Sequence, residues 1–248
     1  MKKRFLFLPL ALAACASAGT PAAAPRDGES VVRAMHDRYA GRWYRTLAFT
    51  QKTTFSPPDR PERVEMWEEY ARIPGALRIE RGGGRGAIYA RDSTFVIAGD
   101  SVVRRMVGRN ELMTLGFDVY GQAPDVTLRQ LREAGFDLGR FRTDTWEGRP
   151  VYVVGAGPGD LRSQQFWVDA ERLVFVRMLS PVPSDSTRTQ DLRFFDYRPA
   201  GRGWIAAQVE IVDGGRRVFH EEYSNIRVDI PLDSSLWVPD QWRTARHP

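Results

Sequence analysis

The run Val151-Tyr152-Val153-Val154-Gly155-Ala156-Gly157-Pro158-Gly159-Asp160 is laid out like a cofactor motif. An apolar strand followed by closely spaced glycines can cradle a dinucleotide pyrophosphate. That chemistry needs a helix next, whose N-terminal N–H groups face the phosphates. Here Asp160 stands in place of the last glycine and residues 164–168 are β-patterned. The run therefore predicts a loop between two strands and no nucleotide. Gly82-Gly83-Gly84 lacks the lysine and hydroxyl residue of a phosphate loop. The chain has 3 histidines, His36, His220 and His247, and none is spaced with another His, Cys or carboxylate as a metal site requires. No Gly-x-Ser-x-Gly elbow occurs. Glu68-Glu69 and Glu221-Glu222 are consecutive in strand-like runs, so the members of each pair point to opposite faces and neither forms a paired-carboxylate site. These residues predict a binding protein rather than an enzyme, with no cofactor and no metal.

The remaining reactive side chain is Cys15, the 1 cysteine of the chain. Lys2-Lys3-Arg4 is a basic n-region, and residues 5–14 are an apolar h-region. That length suits a signal peptide and falls short of the roughly 20 residues a spanning helix needs. Leu12-Ala13-Ala14-Cys15 resembles the bacterial lipobox, in which the cysteine thiol takes a diacylglyceryl group through a thioether and the cysteine becomes the new N-terminus. An ordinary leader cleaved near Ala18 is the other reading. On the lipobox reading, residues 1–14 are the signal peptide, and residues 15–27 are the lipid anchor and a flexible tether rich in Ala, Pro and Gly. Residues 28–248 are then a single β domain. An Asp after the cysteine commonly retains a lipoprotein in the inner membrane of proteobacteria. Ala16 stands there instead, which points to the outer membrane with the domain in the periplasm.

Composition narrows the classes further. The formal charge is +5, and removal of Lys2, Lys3 and Arg4 with a leader lowers it to +2. That is too small a balance for a nucleic-acid partner. A hydrophobic fraction of 42% supplies an ample core without any disulfide.

The elements are legible from period and turn residues. Gln165 to Val168 and Leu173 to Leu179 are β-rich runs joined by Asp169-Ala170-Glu171-Arg172, a hairpin that needs more strands beside it. Residues 46–55 alternate with period 2, with Leu47, Phe49 and Phe55 sharing a face with Gln51 and Thr53. Further strands are predicted at 62–72, 76–81, 86–90, 93–98 and 101–105, then at 141–145, 150–155, 187–198, 204–212 and 216–227. A helix starts at Asp27-Gly28-Glu29-Ser30 and ends at Gly41. Between the two β halves, residues 112–115 and 127–135 read as short helices, the second with Thr127 as N-cap and Gly135 just past its end. The class is mainly β: a curved antiparallel sheet or incomplete barrel with one N-terminal helix and a helical insertion.

This order of elements resembles the LolA/LolB-like superfamily of lipoprotein carriers. The likeness rests on Trp67 to Ile79, a tryptophan-bearing strand followed by Pro74-Gly75 and Leu77-Arg78-Ile79. It also rests on Phe166-Trp167-Val168-Asp169 with its return strand, and on Tyr223-Ser224-Asn225-Ile226-Arg227 through Trp237-Val238-Pro239. The resemblance implies a strongly curved, incomplete barrel whose helices lie over a concave side, and an apolar hollow that accepts acyl chains of lipids or lipoproteins. It places Leu47, Phe49, Met66, Leu77, Ile79, Phe95 and Ile97 around that hollow, in a monomer held to the membrane through lipidated Cys15. Alternation leaves open whether the face encloses space or is a packed core. An envelope sensor module of the same fold and a structural lipoprotein with a filled core are the other readings. The loop 56–61 lacks the large apolar residue that LolB-like acceptors insert into a bilayer.

Overall fold

Two meanders share one sheet. The computed structural model describes residues 24–90, 92–182 and 185–248, so the leader and Cys15 lie outside the described residues. The first meander comprises β1 (Thr46–Phe55), β2 (Arg63–Arg72), β3 (Ala76–Glu80), β4 (Gly86–Ala90), β5 (Ser93–Ala98) and β6 (Ser101–Val107). The second comprises β7 (Phe141–Trp146), β8 (Arg149–Val154), β9 (Gln165–Asp169), β10 (Phe175–Val182), β11 (Asp185–Ala200), β12 (Gly203–Asp213) and β13 (Arg216–Val228). All predicted strands are present, with ends that move by up to three residues.

The 13-stranded order is β6-β5-β4-β3-β2-β1-β13-β12-β11-β10-β9-β8-β7. Sequence neighbours pair within each meander, and β1 also pairs with β13, which joins the two meanders along the middle of the sheet. β6 and β7 are the two edges, so the sheet does not close into a barrel. Register shifts at Ala48/Thr50, Val96/Ile97, Phe175/Arg177 and Ile211/Val212 bend individual strands and curl the sheet.

Helices α1 (Gly28–Tyr39), α2 (Glu111–Gly116) and α3 (Pro124–Glu133) pack over one face. Asp27 caps α1: its side chain accepts from the Ser30 backbone N–H, and the Ser30 hydroxyl accepts from the Asp27 N–H. Val31, Val32, Met35 and Tyr39 are the buried stripe of α1. The start of α3 differs from the sequence expectation. Pro124 opens it, three residues before Thr127, which is buried inside the first turns rather than capping. A proline is well placed there because the first helical N–H has no partner within the helix. Gly135 takes φ 90° just after its end, as expected. No helix among the described residues is long and apolar enough to cross a membrane.

The opposite face is also covered, over its first half, by the chain that follows β13. Leu236, Trp237 and Ala245 pack on Ala48, Tyr70 and Ala76, and Trp242 packs on Ile88 and Ile97. Arg78, only 1% exposed, fastens this segment. It donates to the Trp242 carbonyl at 2.7 Å and the Leu236 carbonyl at 3.4 Å, with its guanidinium 3.8 Å from the Trp242 ring centre.

The glycine-rich run after Val154 is a loop between antiparallel β8 and β9, with no helix behind it. Gly155 has φ 105°, and a Cβ there would lie 2.4 Å from the Gln164 carbonyl oxygen. Asp160 accepts from the backbone N–H groups of Arg162 and Ser163. Glycine is thus required by backbone approach within the hairpin.

Candidate functional site

A hollow of about 290 Å³ lies on the concave face between the sheet and the helical insertion. Cross-strand register decides which residues reach it, since directly opposed residues share a face. On β1, Phe49 stands opposite Glu69, and Gln51 stands opposite both Trp67 and Tyr223. All five line the hollow, together with Leu77 and Ile79 of β3 and Tyr89 of β4. Strands β11 and β12 add Tyr197, Ala206 and Val209, and α2 lays Leu112 and Met113 across the top. The volume sits near the lower end of small-molecule pockets, roughly 300 Å³.

One end of the hollow is aromatic. The Trp43 and Tyr120 rings stack with centroids 3.8 Å apart, and Trp43 lies 5.2 Å from Tyr44. Their tyrosine hydroxyls are engaged by backbone. Tyr44 donates to the Trp204 carbonyl at 3.2 Å, and Tyr120 accepts from the Phe175 N–H at 3.0 Å. Ring faces and edges are left for the cavity. The Trp43 indole N–H is buried without a partner.

Further along β1 the lining turns polar. Glu69 is 5% exposed, and Glu221, opposite Thr53, faces the same space. The Tyr223 hydroxyl donates to Glu221 at 2.6 Å. Burial favours the uncharged acids. It pushes Glu221 up to about 7, against the pull of the Tyr223 and Gln51 side chains. Burial, with the Glu221 charge second, holds Glu69 well above the carboxylate range. Tyr223 is raised in turn, by burial first and then by the two carboxylates. Gln51, 1% exposed, donates from its amide nitrogen to Thr53 at 2.7 Å, while its Oε1 has no partner.

The seven apolar residues assigned to the hollow divide into three groups. Phe49, Leu77 and Ile79 line it. Leu47 is on the same face but fully buried in the core. Met66, Phe95 and Ile97 are on the other face. Met66 is opposite Lys52 and 56% exposed, while Ile97 packs under Trp242 and Phe95 beside it. On β2, residues 65, 67 and 69 are in phase with Phe49, so Trp67 and Glu69 take the place expected of Met66. On β5 both faces carry apolar side chains, because the C-terminal segment buries the outer one, so hydrophobicity alone misassigns the phase. Adjacent carboxylates within one strand face opposite ways, so Glu69 and Glu221 are not a pair in the linear sequence. They come together across strands, and the signal was the phase of Glu69 with Trp67 and of Glu221 with Tyr223. Among the described residues no group of three His, Cys, Asp or Glu could hold a metal ion.

Comparison of the sequence with protein-family models and with curated proteins finds no match. The fold, by contrast, has solved counterparts. A DUF1329 family protein from Desulfovibrio piger superposes with TM-score 0.56 at 14% identity, over 85% of this chain and 95% of that one. A LolA superfamily protein from Nitrosomonas europaea gives 0.51 at 14% identity, over 84% and 96%. A domain described as that of an outer membrane lipoprotein-sorting protein, from Vibrio parahaemolyticus, gives 0.54 at 10% identity, over 88% and 96%. At these identities the likeness is one of fold. The curved, incomplete barrel expected from the sequence is the architecture observed.

Proposed function

We propose that this chain is an envelope lipoprotein that binds an acyl or alkyl chain in the concave hollow, as a carrier of lipid or lipoprotein and without a chemical step. The observation that carries the reading is the cavity: about 290 Å³ walled by Phe49, Leu77, Ile79, Leu112 and Met113. A filled core would leave no such space, because protein interiors are packed to crystal density. The fold shared with a LolA superfamily protein and a lipoprotein-sorting domain supports the same class of cargo.

Ala206 provides the test. It lines the hollow from β12, opposite Tyr197. Ala206→Trp places an indole in the empty volume. A fluorescent fatty acid that binds the wild type should then bind about tenfold more weakly or worse, with the melting temperature nearly unchanged. Overpacking a solid interior costs about 1–3 kcal/mol instead. A wild type that takes up no acyl probe, or a variant that binds as well as wild type, would remove the reading.

Anchoring rests on the lipobox at Cys15. Two acyl chains bind a bilayer firmly, since each buried methylene contributes about 0.8 kcal/mol. Mass spectrometry of the N-terminal peptide should show a diacylglyceryl group on Cys15, and Cys15→Ser should release the protein from membranes. An unmodified wild-type cysteine would refute the anchor.

A further inference from the structure

The polar part of the hollow holds two carboxyl groups, which become pure acceptors once ionised, and one side-chain carbonyl. Gln51 Oε1 is buried and unpartnered, while the amide nitrogen beside it donates to Thr53 and also acts on Glu221. Among the described residues, no hydrogen-bond donor and no cation is paired with the Glu69 carboxyl. Glu221 receives the hydroxyl of Tyr223 on Oε2. Register brings these groups together: Gln51 opposes Tyr223, Phe49 opposes Glu69, and Thr53 opposes Glu221. A buried acceptor without a donor is costly, and ionising a pair of carboxyls in an apolar wall is more so, which is why burial keeps them uncharged in the empty hollow. A ligand that brings donors and positive charge relieves both.

We propose that the hollow binds an amphiphile with a primary ammonium head, seated among Glu69, Glu221 and the Gln51 side-chain carbonyl, its chain running towards Trp43, Tyr44 and Tyr120. This rests on reading the hollow as a lipid site, and it names the class of lipid. An ammonium carries three N–H donors and no acceptor, which matches the three acceptor groups. An alcohol brings one donor. An ionised fatty acid brings only acceptors and a like charge. The shared chemistry, an amine on a long chain, could come from a free amino lipid or from the α-amine of a cysteine that carries a thioether-linked diacylglyceryl group.

The other ionisable groups that face this spot do not supply the missing cation. Tyr89 of β4 and Tyr197 of β11 are phenols held neutral, by burial first. Arg81, just past β3, lies 4.5 Å from the Trp67 ring centre and 3.6 Å from Glu65. Glu65 also faces Arg63 and Arg85. The insertion presents Asn110, Leu112, Met113 and Phe117 to the hollow, none ionisable. Binding of a cation favours the ionised acids, so amine uptake should strengthen as pH rises from 6 to 8, through the range in which Glu221 titrates at about 7. Uptake of a fatty acid should weaken over the same range.

The experiment titrates the purified chain with dodecylamine, dodecanol and dodecanoic acid at pH 6 and pH 8. At pH 8 the amine should bind about ten- to a hundredfold tighter than the alcohol, the worth of charge-assisted hydrogen bonds. In the double variant Glu69→Gln with Glu221→Gln that preference should fall below about threefold, with alcohol binding retained. Melting curves accompany each titration, and removing buried acids should not lower stability at pH 8. Equal binding of amine and alcohol by the wild type would overturn the ammonium site and leave the lipid reading standing. So would a preference that survives in the double variant. Failure of all three to bind would overturn both. A diacylated cysteinyl peptide with its α-amine free or acetylated then separates the sources. Tight binding of the free form supports a lipoprotein end, and binding of dodecylamine without the peptide supports an amino lipid.

Discussion

Asp191→Ala should destabilise the domain by about 3–5 kcal/mol, a large share of a total that is typically about 5–15 kcal/mol. Asp191 on β11 receives Arg177 of β10 through two bonds of 2.8 Å and 2.8 Å. It also receives Arg193 at 2.7 Å and 2.9 Å. Arg177 is 6% exposed, with its guanidinium 4.1 Å from the Trp146 ring centre and 4.6 Å from that of Trp167. Alanine at 191 leaves two adjacent guanidinium groups without the carboxylate they both bond, one of them buried, with Asp144 the remaining acid that acts on Arg177. Arg177→Met should cost less, because Asp191 keeps Arg193 and methionine still packs between the two indoles. The asymmetry is the signature. Urea unfolding of both variants measures it, and an Asp191→Ala cost below that of Arg177→Met would refute the account.

The pair also sets an acid limit. Burial pushes the Asp191 carboxyl up, but the hydrogen bonds from Arg177 and Arg193 outweigh it and hold the group below the carboxylate value of 3.8. A depressed folded value means the contribution is complete above the unfolded pKa and is lost as pH falls below 3.8 through the folded value.

Arg78→Met should cost about 2–4 kcal/mol and loosen one segment in particular. The guanidinium bonds the carbonyls of Leu236 and Trp242 and forms an ion pair with Glu80 at 2.5 Å. Glu80 keeps His247 at 2.7 Å, but the carbonyls lose donors in a site closed to water. Trp242 also covers Gly86, where a Cβ would meet its ring at 2.5 Å, so the indole and the strand are fitted to one another. Hydrogen exchange should therefore quicken across residues 234–245 well before the rest of the sheet responds. Unchanged exchange there, with stability within about 0.5 kcal/mol of wild type, would show that Arg78 does not hold the segment.

The lipobox resemblance at Leu12-Ala13-Ala14-Cys15 needs no fold, because it is a contiguous motif.

What the sequence determined by itself was local. Period-2 runs and glycine-bearing turns set the strands of both meanders, and Asp27 with Ser30 set the start of α1, because these signals act within a few residues. Only the tertiary structure decided which face of each strand looks inward. Strand period is 2, so the face depends on loop geometry and bulges, and an apolar residue is equally at home under Trp242 or under α2. Ile97 and Phe49 are alike in type and ended on opposite sides of the sheet. The meeting of Glu69, Gln51 and Glu221 was decided in the same way. Glu69 reaches Gln51 through the hairpin of β1 and β2, but Glu221 joins them only because β13 returns to pair with β1, a contact between positions some 170 residues apart (Lys52 with Glu222) that no local pattern encodes.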